Sequence, residues 1–162
     1  MRITEILNKE YVLSNLKARD KRGVIEELSE FLFTKEKIKD KDRLVNAILD
    51  REKLGSTGIG DNVAIPHTKL KELKEILAVF GRSKEGIEFD SLDGRPVHFV
   101  CLLVAPEDSV SAHLKALAKI SRLLKSDSFR TTLLNAEDED NIYQIILNED
   151  LRIEKENNMG GR

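Results

Sequence analysis

The chain has little sulfur chemistry to offer. Its single cysteine, Cys101, excludes an internal disulfide. Charge of one sign is also lacking: 27 Lys and Arg against 29 Asp and Glu leave a formal net charge of −2. That balance gives no pull toward nucleic acid or an anionic lipid surface. No apolar run approaches the roughly 20 residues needed to span a bilayer, and Met1-Arg2-Ile3-Thr4-Glu5 shows no charged-then-apolar leader pattern. The expectation is a cytoplasmic protein with no nucleic-acid partner, meeting any membrane transporter only peripherally. Internal repeats and low-complexity stretches are absent too. What is present, 40% apolar and 35% charged residues over 162 positions, suits one domain with a proper core.

Three common chemistries lack their motifs. Gly55-x-x-Gly58-x-Gly60 has the glycine spacing of a dinucleotide fingerprint in reverse, and it leads into apolar strand residues instead of opening a helix. The nucleotide-binding loop Gly-x-x-x-x-Gly-Lys-Ser/Thr does not occur, so ATP is not the expected phosphoryl donor. Three histidines and one cysteine show no metal-ligand spacing. Neither a metal nor another cofactor is therefore expected.

Hydrophobic periodicity outlines an α/β chain. Ile3, Ile6 and Leu7 share one side of a short helix, and Tyr11-Val12-Leu13 reads as a brief strand. Val24, Ile25, Leu28, Phe31 and Leu32 line one face of a helix that starts near Asp20. Leu44, Val45, Ile48 and Leu49 line a second, from about Asp40 to Leu54, stopped by Gly55. Lys69 to Lys74 reads as a charged surface connection, and Ile76 to Gly81 as a buried strand. Lys84-Glu85-Gly86 reads as a turn, and Ile87-Glu88-Phe89 as an exposed strand or edge. After a turn at Asp93 to Pro96, Val97 to Ala105 is the longest apolar run, predicted as the central strand. Three helices follow: one beginning near Ser109 to Ser111, one from about Ser126 to Leu134, and one from about Asp138 to Leu147. Residues 151–162 turn polar and are expected as a flexible tail after a domain over 1–150.

The chemistry concentrates in Gly55 to His67, a glycine-punctuated turn that runs through Val63-Ala64-Ile65-Pro66 to a histidine at the expected strand end. A rigid Ile-Pro step fixes where His67 is presented, and a neutral imidazole nitrogen is a nucleophile. Ser56, Thr57, Gly58 and Gly60 form a small-residue loop whose amides suit a bound anion. Arg51, in the last turn before the loop, is either a cation complementing the helix dipole or a bidentate phosphate donor. His113, in the first turn of a later helix, is either an idle helix histidine or a second group at the same sheet edge. His98 and Cys101, inside the central strand, read as packing residues. Histidine beside an anion nest points to phosphoryl chemistry.

The run Ile48-Leu49-Asp50-Arg51-Glu52-Lys53-Leu54-Gly55-Ser56-Thr57-Gly58-Ile59-Gly60, continued by Val63-Ala64-Ile65-Pro66-His67, resembles the enzyme IIA domain of the fructose and mannitol class of the phosphoenolpyruvate-dependent sugar phosphotransferase system. The resemblance extends through Phe89 to Val97, Leu103 to Pro106 and His113 to Ala118, covering most of 1–150. Arg51-Glu52-Lys53 and Tyr143-Gln144-Ile145-Ile146 make it most similar to the stand-alone nitrogen-regulatory IIA type. It implies a mixed sheet of four to five strands flanked by helices. It also implies that His67 accepts a phosphoryl group from an HPr-type phosphocarrier, with His113 and Arg51 stabilising it. The group then passes to a cysteine of a IIB domain, or its presence switches binding of a regulatory target. Asn62 and Thr68 stand where this family commonly has glycine, which bears on the turn and on partner preference.

Overall fold

The computed structural model describes residues 1–160. Two 3-10 turns, Ile3–Glu5 and Lys9–Tyr11, lead into β1 (Val12–Leu13). Then come α1 (Lys21–Thr34) and α2 (Lys41–Lys53), started by Asp20 and Asp40, whose carboxylates accept the Gly23 and Arg43 amides at 2.8 and 3.1 Å. The strands that follow are β2 (Gly58–Gly60), β3 (Val63–Ala64), β4 (His67–Leu70), β5 (Leu77–Ile87) and β6 (Val97–Pro106). Helices α3 (Val110–Leu123), α4 (Asp127–Asn135) and α5 (Glu139–Gly160) complete the order.

The sheet is mixed and runs β1-β5-β6-β3-β2, with β4 also on β6. β6 is its centre, as the apolar run predicts, with nine of its ten residues buried and only His98 half-buried. Such a strand is covered on both faces, which is why it reads as continuous rather than alternating. One edge of β6 takes β5 antiparallel. The other takes β3 at Phe99 and Val100 and β4 at Leu103 to Pro106, both parallel.

β3 and β4 are one strand path broken at Ile65-Pro66. Pro66 has no N–H to give to the ladder, though its carbonyl still accepts the Leu103 amide at 3.0 Å. His67 thus opens a new strand opposite Leu103 instead of closing the previous one, and the sheet holds six strands rather than four to five. The turn before β3 has Asp61 at φ 57° and Asn62 at φ 66°, the paired left-handed conformation of a two-residue hairpin. Asn62 supplies it where glycine is usual.

Several boundaries differ from the sequence expectation for visible reasons. Lys69 and Leu70 pair with β6, and Leu70 and Leu73 are buried, so that segment belongs to the sheet. The expected turn at Lys84 to Gly86 is an irregularity within β5, with Gly86 at φ 94°. Ile87 and Phe89 are buried under the start of α1, where the Lys21 amide donates to the Glu88 carbonyl at 3.0 Å. The helix expected over Ile3 to Leu7 is only a 3-10 turn. Residues 151–160, expected within a flexible tail, continue α5. Ile153 is buried, and Glu154 and Glu156 reach Lys119 and Arg122 of α3 at 3.0 and 3.6 Å. Residues 161–162 of that tail lie outside the described residues.

Candidate functional site

Three distant stretches converge beside β4. α2 ends with Arg51 turned toward the glycine loop, its Nη1 donating to the Gly55 carbonyl at 3.0 Å. β4 opens with His67. β6 ends at Pro106 and hands the chain to α3, whose first turn carries His113. The two imidazoles lie edge to face with ring centroids 5.3 Å apart and planes at 89°. Together with Thr68, Lys69, Val110, Leu114 and Leu117 they line an open cleft of about 440 Å³.

The half-buried His67 ring is held in one tautomer. Its Nδ1 lies 2.8 Å from the Ile65 carbonyl oxygen, which can only accept, so Nδ1 carries the hydrogen. In the neutral ring Nε2 then keeps its lone pair. Burial pulls the His67 pKa below its ordinary value; the Ile65 carbonyl and the Glu52 charge pull it up, and the cations of Arg51 and Lys69 add to the lowering. The net direction favours the neutral form near pH 7.

His113 is the more deeply buried of the two, at 5% exposure, and neither ring nitrogen has a hydrogen-bond partner among the described residues. Burial, with the charges of His67 and Lys69, pushes its pKa down to about 4. It therefore stands in the cleft as a neutral ring with an unspent donor. Ser109, the residue before α3, makes no side-chain cap bond, so the positive end of the helix dipole remains at the cleft.

The glycine loop is arranged differently from an anion nest. Thr57 gives its amide (3.1 Å) and its hydroxyl to the two carboxylate oxygens of Glu52. Ser56 donates to the Phe89 carbonyl at 3.3 Å while accepting the Gly58 amide at 3.0 Å, and the Gly55 amide bonds the Glu52 carbonyl. These donors are consumed inside the protein. Ser56, Thr57, Gly58 and Gly60 do not line the cleft. Gly58 is required in the loop because a Cβ would stand 2.9 Å from the Ser91 Cα.

Two residues have parts that the sequence reading did not assign, although it places the Glu52 head, with that of Arg51, close to the glycine loop. Lys69 lines the cleft, though its charged neighbours make it look like a surface linker. Glu52 is buried, and a signal existed: it continues the Leu44, Val45, Ile48 stripe of α2, where a carboxylate needs a partner. His98 and Cys101 lie outside the cleft. His98 Nδ1 meets the Ser83 carbonyl across the sheet at 2.7 Å, and burial pushes the Cys101 thiol up to about 12. Among the described residues no group of His, Cys, Asp and Glu is placed to hold a metal ion, and no helix is long and apolar enough to cross a membrane.

Fold and cleft together define a class: a single α/β domain with a mixed sheet, presenting a neutral histidine nitrogen among a second histidine and cationic groups. The family model described as phosphoenolpyruvate-dependent sugar phosphotransferase system, EIIA 2, matches residues 5–149, and the chain belongs to that family. Its members are phosphotransferase-system components. The chain is 42% identical over 146 residues to the fructose-specific EIIABC component of Bacillus subtilis, covering 90% of this chain but 23% of that longer protein. It is 40% identical over 147 residues to a nitrogen regulatory protein of Bradyrhizobium diazoefficiens, covering 90% of this chain and 95% of that one. Among solved structures, nitrogen regulatory protein IIA-Ntr from Neisseria meningitidis superposes with a TM-score of 0.82 at 30% identity, over 89% of this chain and 98% of that one. The Escherichia coli complex of enzyme IIAMTL with phosphorylated enzyme IIBMTL shares the fold, with a TM-score of 0.72 at 22% identity, over 87% of this chain and 98% of that one.

Proposed function

We propose that His67 is a phosphoryl acceptor and carrier, using Nε2 as the nucleophile. The observation that carries this reading is the Ile65 carbonyl on Nδ1, which leaves Nε2 unprotonated at an open cleft. The donor is the phosphohistidine of an HPr-type carrier protein. Nε2 forms the new N–P bond as the donor's N–P bond breaks, and that electron pair returns to the donor ring. The proton stays on His67 Nδ1, hydrogen-bonded to the Ile65 carbonyl. Arg51, Lys69, the His113 N–H and the open end of α3 surround the position of the transferring oxygens, and their charge and orientation supply the catalysis. This chemistry requires no cofactor.

The next step divides two readings. Identity to a fructose-specific component, and the fold shared with a IIA in complex with phosphorylated IIB, support onward transfer to a IIB cysteine. The near full-length match to nitrogen regulatory proteins supports use of the phosphoryl state as a binding signal, since a dianion at this cleft changes the face a target protein meets. In either case the protein works in the cytoplasm. Incubation with phosphorylated HPr should label the wild type, abolish labelling in His67→Ala and slow it in Arg51→Ala and His113→Ala. Undiminished labelling of His67→Ala overturns the proposal. Transfer from the labelled protein to a IIB cysteine supports the carrier role; its failure, with target capture that depends on phosphorylation, supports regulation.

A further inference from the structure

We propose that Glu52 is a positioning residue for His67, acting through a hydrogen-bond relay that runs from α2 across the glycine loop to the imidazole. The relay has three links. Glu52 accepts the Thr57 amide at 3.1 Å and the Thr57 hydroxyl on its other oxygen. The Thr57 carbonyl accepts the Ile65 amide at 3.0 Å. The Ile65 carbonyl accepts Nδ1–H of His67 at 2.8 Å. Each link fixes the residue whose carbonyl accepts in the next, so the carboxylate sets where the Ile65 carbonyl points and hence which ring nitrogen of His67 stays free.

Burial makes the relay rigid. The Glu52 side chain is 3% exposed, and its charge is matched by Lys21 Nζ at 3.0 Å, itself 17% exposed. Lys21 also lies 5.1 Å above the Phe89 ring, and the Phe89 carbonyl takes the Ser56 hydroxyl. The adjacent Ser56 and Thr57, at the start of the loop, are thus both held by groups packed around the same ion pair. A buried carboxylate with every contact filled holds one geometry, because losing a contact leaves an unpaired charge. Glu52 does not line the cleft; its charge raises the His67 pKa through space, while its hold on the ring's orientation runs through the relay.

The inference rests on the reading of His67 as phosphoryl acceptor, but its test has an arm that does not. Glu52→Ala, Glu52→Gln, Thr57→Val and, as a control on the same helix turn, Lys53→Ala are compared with wild type. After an amide correlation spectrum confirms the fold, the His67 tautomer is read from its ring ¹⁵N shifts, and the initial rate of acceptance from phosphorylated HPr is measured. Glu52→Ala should move His67 from pure Nδ1–H toward a mixture and slow acceptance by about ten- to a hundredfold, the scale of a small misplacement of a nucleophile. Glu52→Gln, whose amide can still accept from one Thr57 group and donate to the other, should recover most of both, and Lys53→Ala should change neither. A folded Glu52→Ala with wild-type tautomer and rate overturns the inference. If Glu52→Ala fails to fold, Thr57→Val decides: a smaller shift in the same direction supports the relay, and an unchanged tautomer overturns it. A wild type that takes no label refutes the phosphoryl reading instead, and the tautomer comparison still settles the relay.

Discussion

Replacing Asp150 by alanine should destabilise the protein out of proportion to the size of the side chain. Asp150 is fully buried at the meeting point of the N-terminal turn, α3 and α5. It accepts the Ile3 amide at 3.0 Å and Arg2 Nε at 3.1 Å, and it pairs with Lys119 Nζ at 2.5 Å. Removing it strands the Lys119 ammonium, which is 8% exposed, with Glu154 as the remaining partner. Breaking a buried pair from one side costs about 3–5 kcal/mol, and the surviving Glu154 contact puts this case near the lower end, about 3 kcal/mol. At about 2–4 °C per kcal/mol for a domain of this size, the melting temperature should fall by about 6–12 °C.

The effect also has a pH signature. Burial pushes the Asp150 carboxyl up, but hydrogen bonds from Lys119, Ile3 and Arg2 outweigh it and hold it below the usual carboxylate range. A depressed carboxylate pKa stabilises the fold fully above its unfolded value, about 3.9, and that contribution is lost as pH falls through the lower folded value. Urea unfolding of wild type and Asp150→Ala near pH 7 and in acid should show a wide gap that narrows below about pH 4. A gap under about 1 kcal/mol near neutrality, or one that does not narrow in acid, would refute the reasoning.

Three further outcomes are expected. Gly58→Ala forces a Cβ against the Ser91 Cα and Oγ at 2.9 and 3.0 Å, and should cost about 1–3 kcal/mol by urea unfolding; a neutral result would mean that this contact relaxes freely. The rate of phosphoryl acceptance should decline as pH falls, with a midpoint below the ordinary histidine value of about 6.5. Burial keeps His67 neutral to lower pH, and a midpoint above 6.5 in that profile would contradict it. Cys101, buried and with its thiol pushed up to about 12, should resist thiol reagents in the native protein near pH 8 and react once urea unfolds it.

The parts of this protein that could be read from its sequence are those whose cause is local. The stripes of α1 and α2, the apolar run of β6, and the Gly55 to His67 motif announce themselves within a dozen residues, and the family resemblance links His113 and Arg51 to His67. What was not legible depends on partners far along the chain. Ser56 and Thr57 look like donors awaiting an anion until Glu52 and Phe89 are seen to occupy them. Residues 151–160 look too polar to order, yet Ile153 and the ion pairs to α3 hold the helix together. The break at Ile65-Pro66 was visible as a proline but not as a strand restart. That depends on β6 offering Leu103 to Pro106 as a fresh ladder for His67 onward. Arg82 sits in β5, almost fully buried, with its guanidinium on the Ser14, Leu133 and Ala136 carbonyls, a tie that no periodicity reveals.

The central claim concerns one atom, and phosphorus NMR of the protein after incubation with phosphorylated HPr addresses it directly. The account predicts a single phosphohistidine signal with the shift of an Nε2-linked phosphoryl group, absent from His67→Ala. A signal from an Nδ1-linked group, or one that persists in His67→Ala, would contradict it.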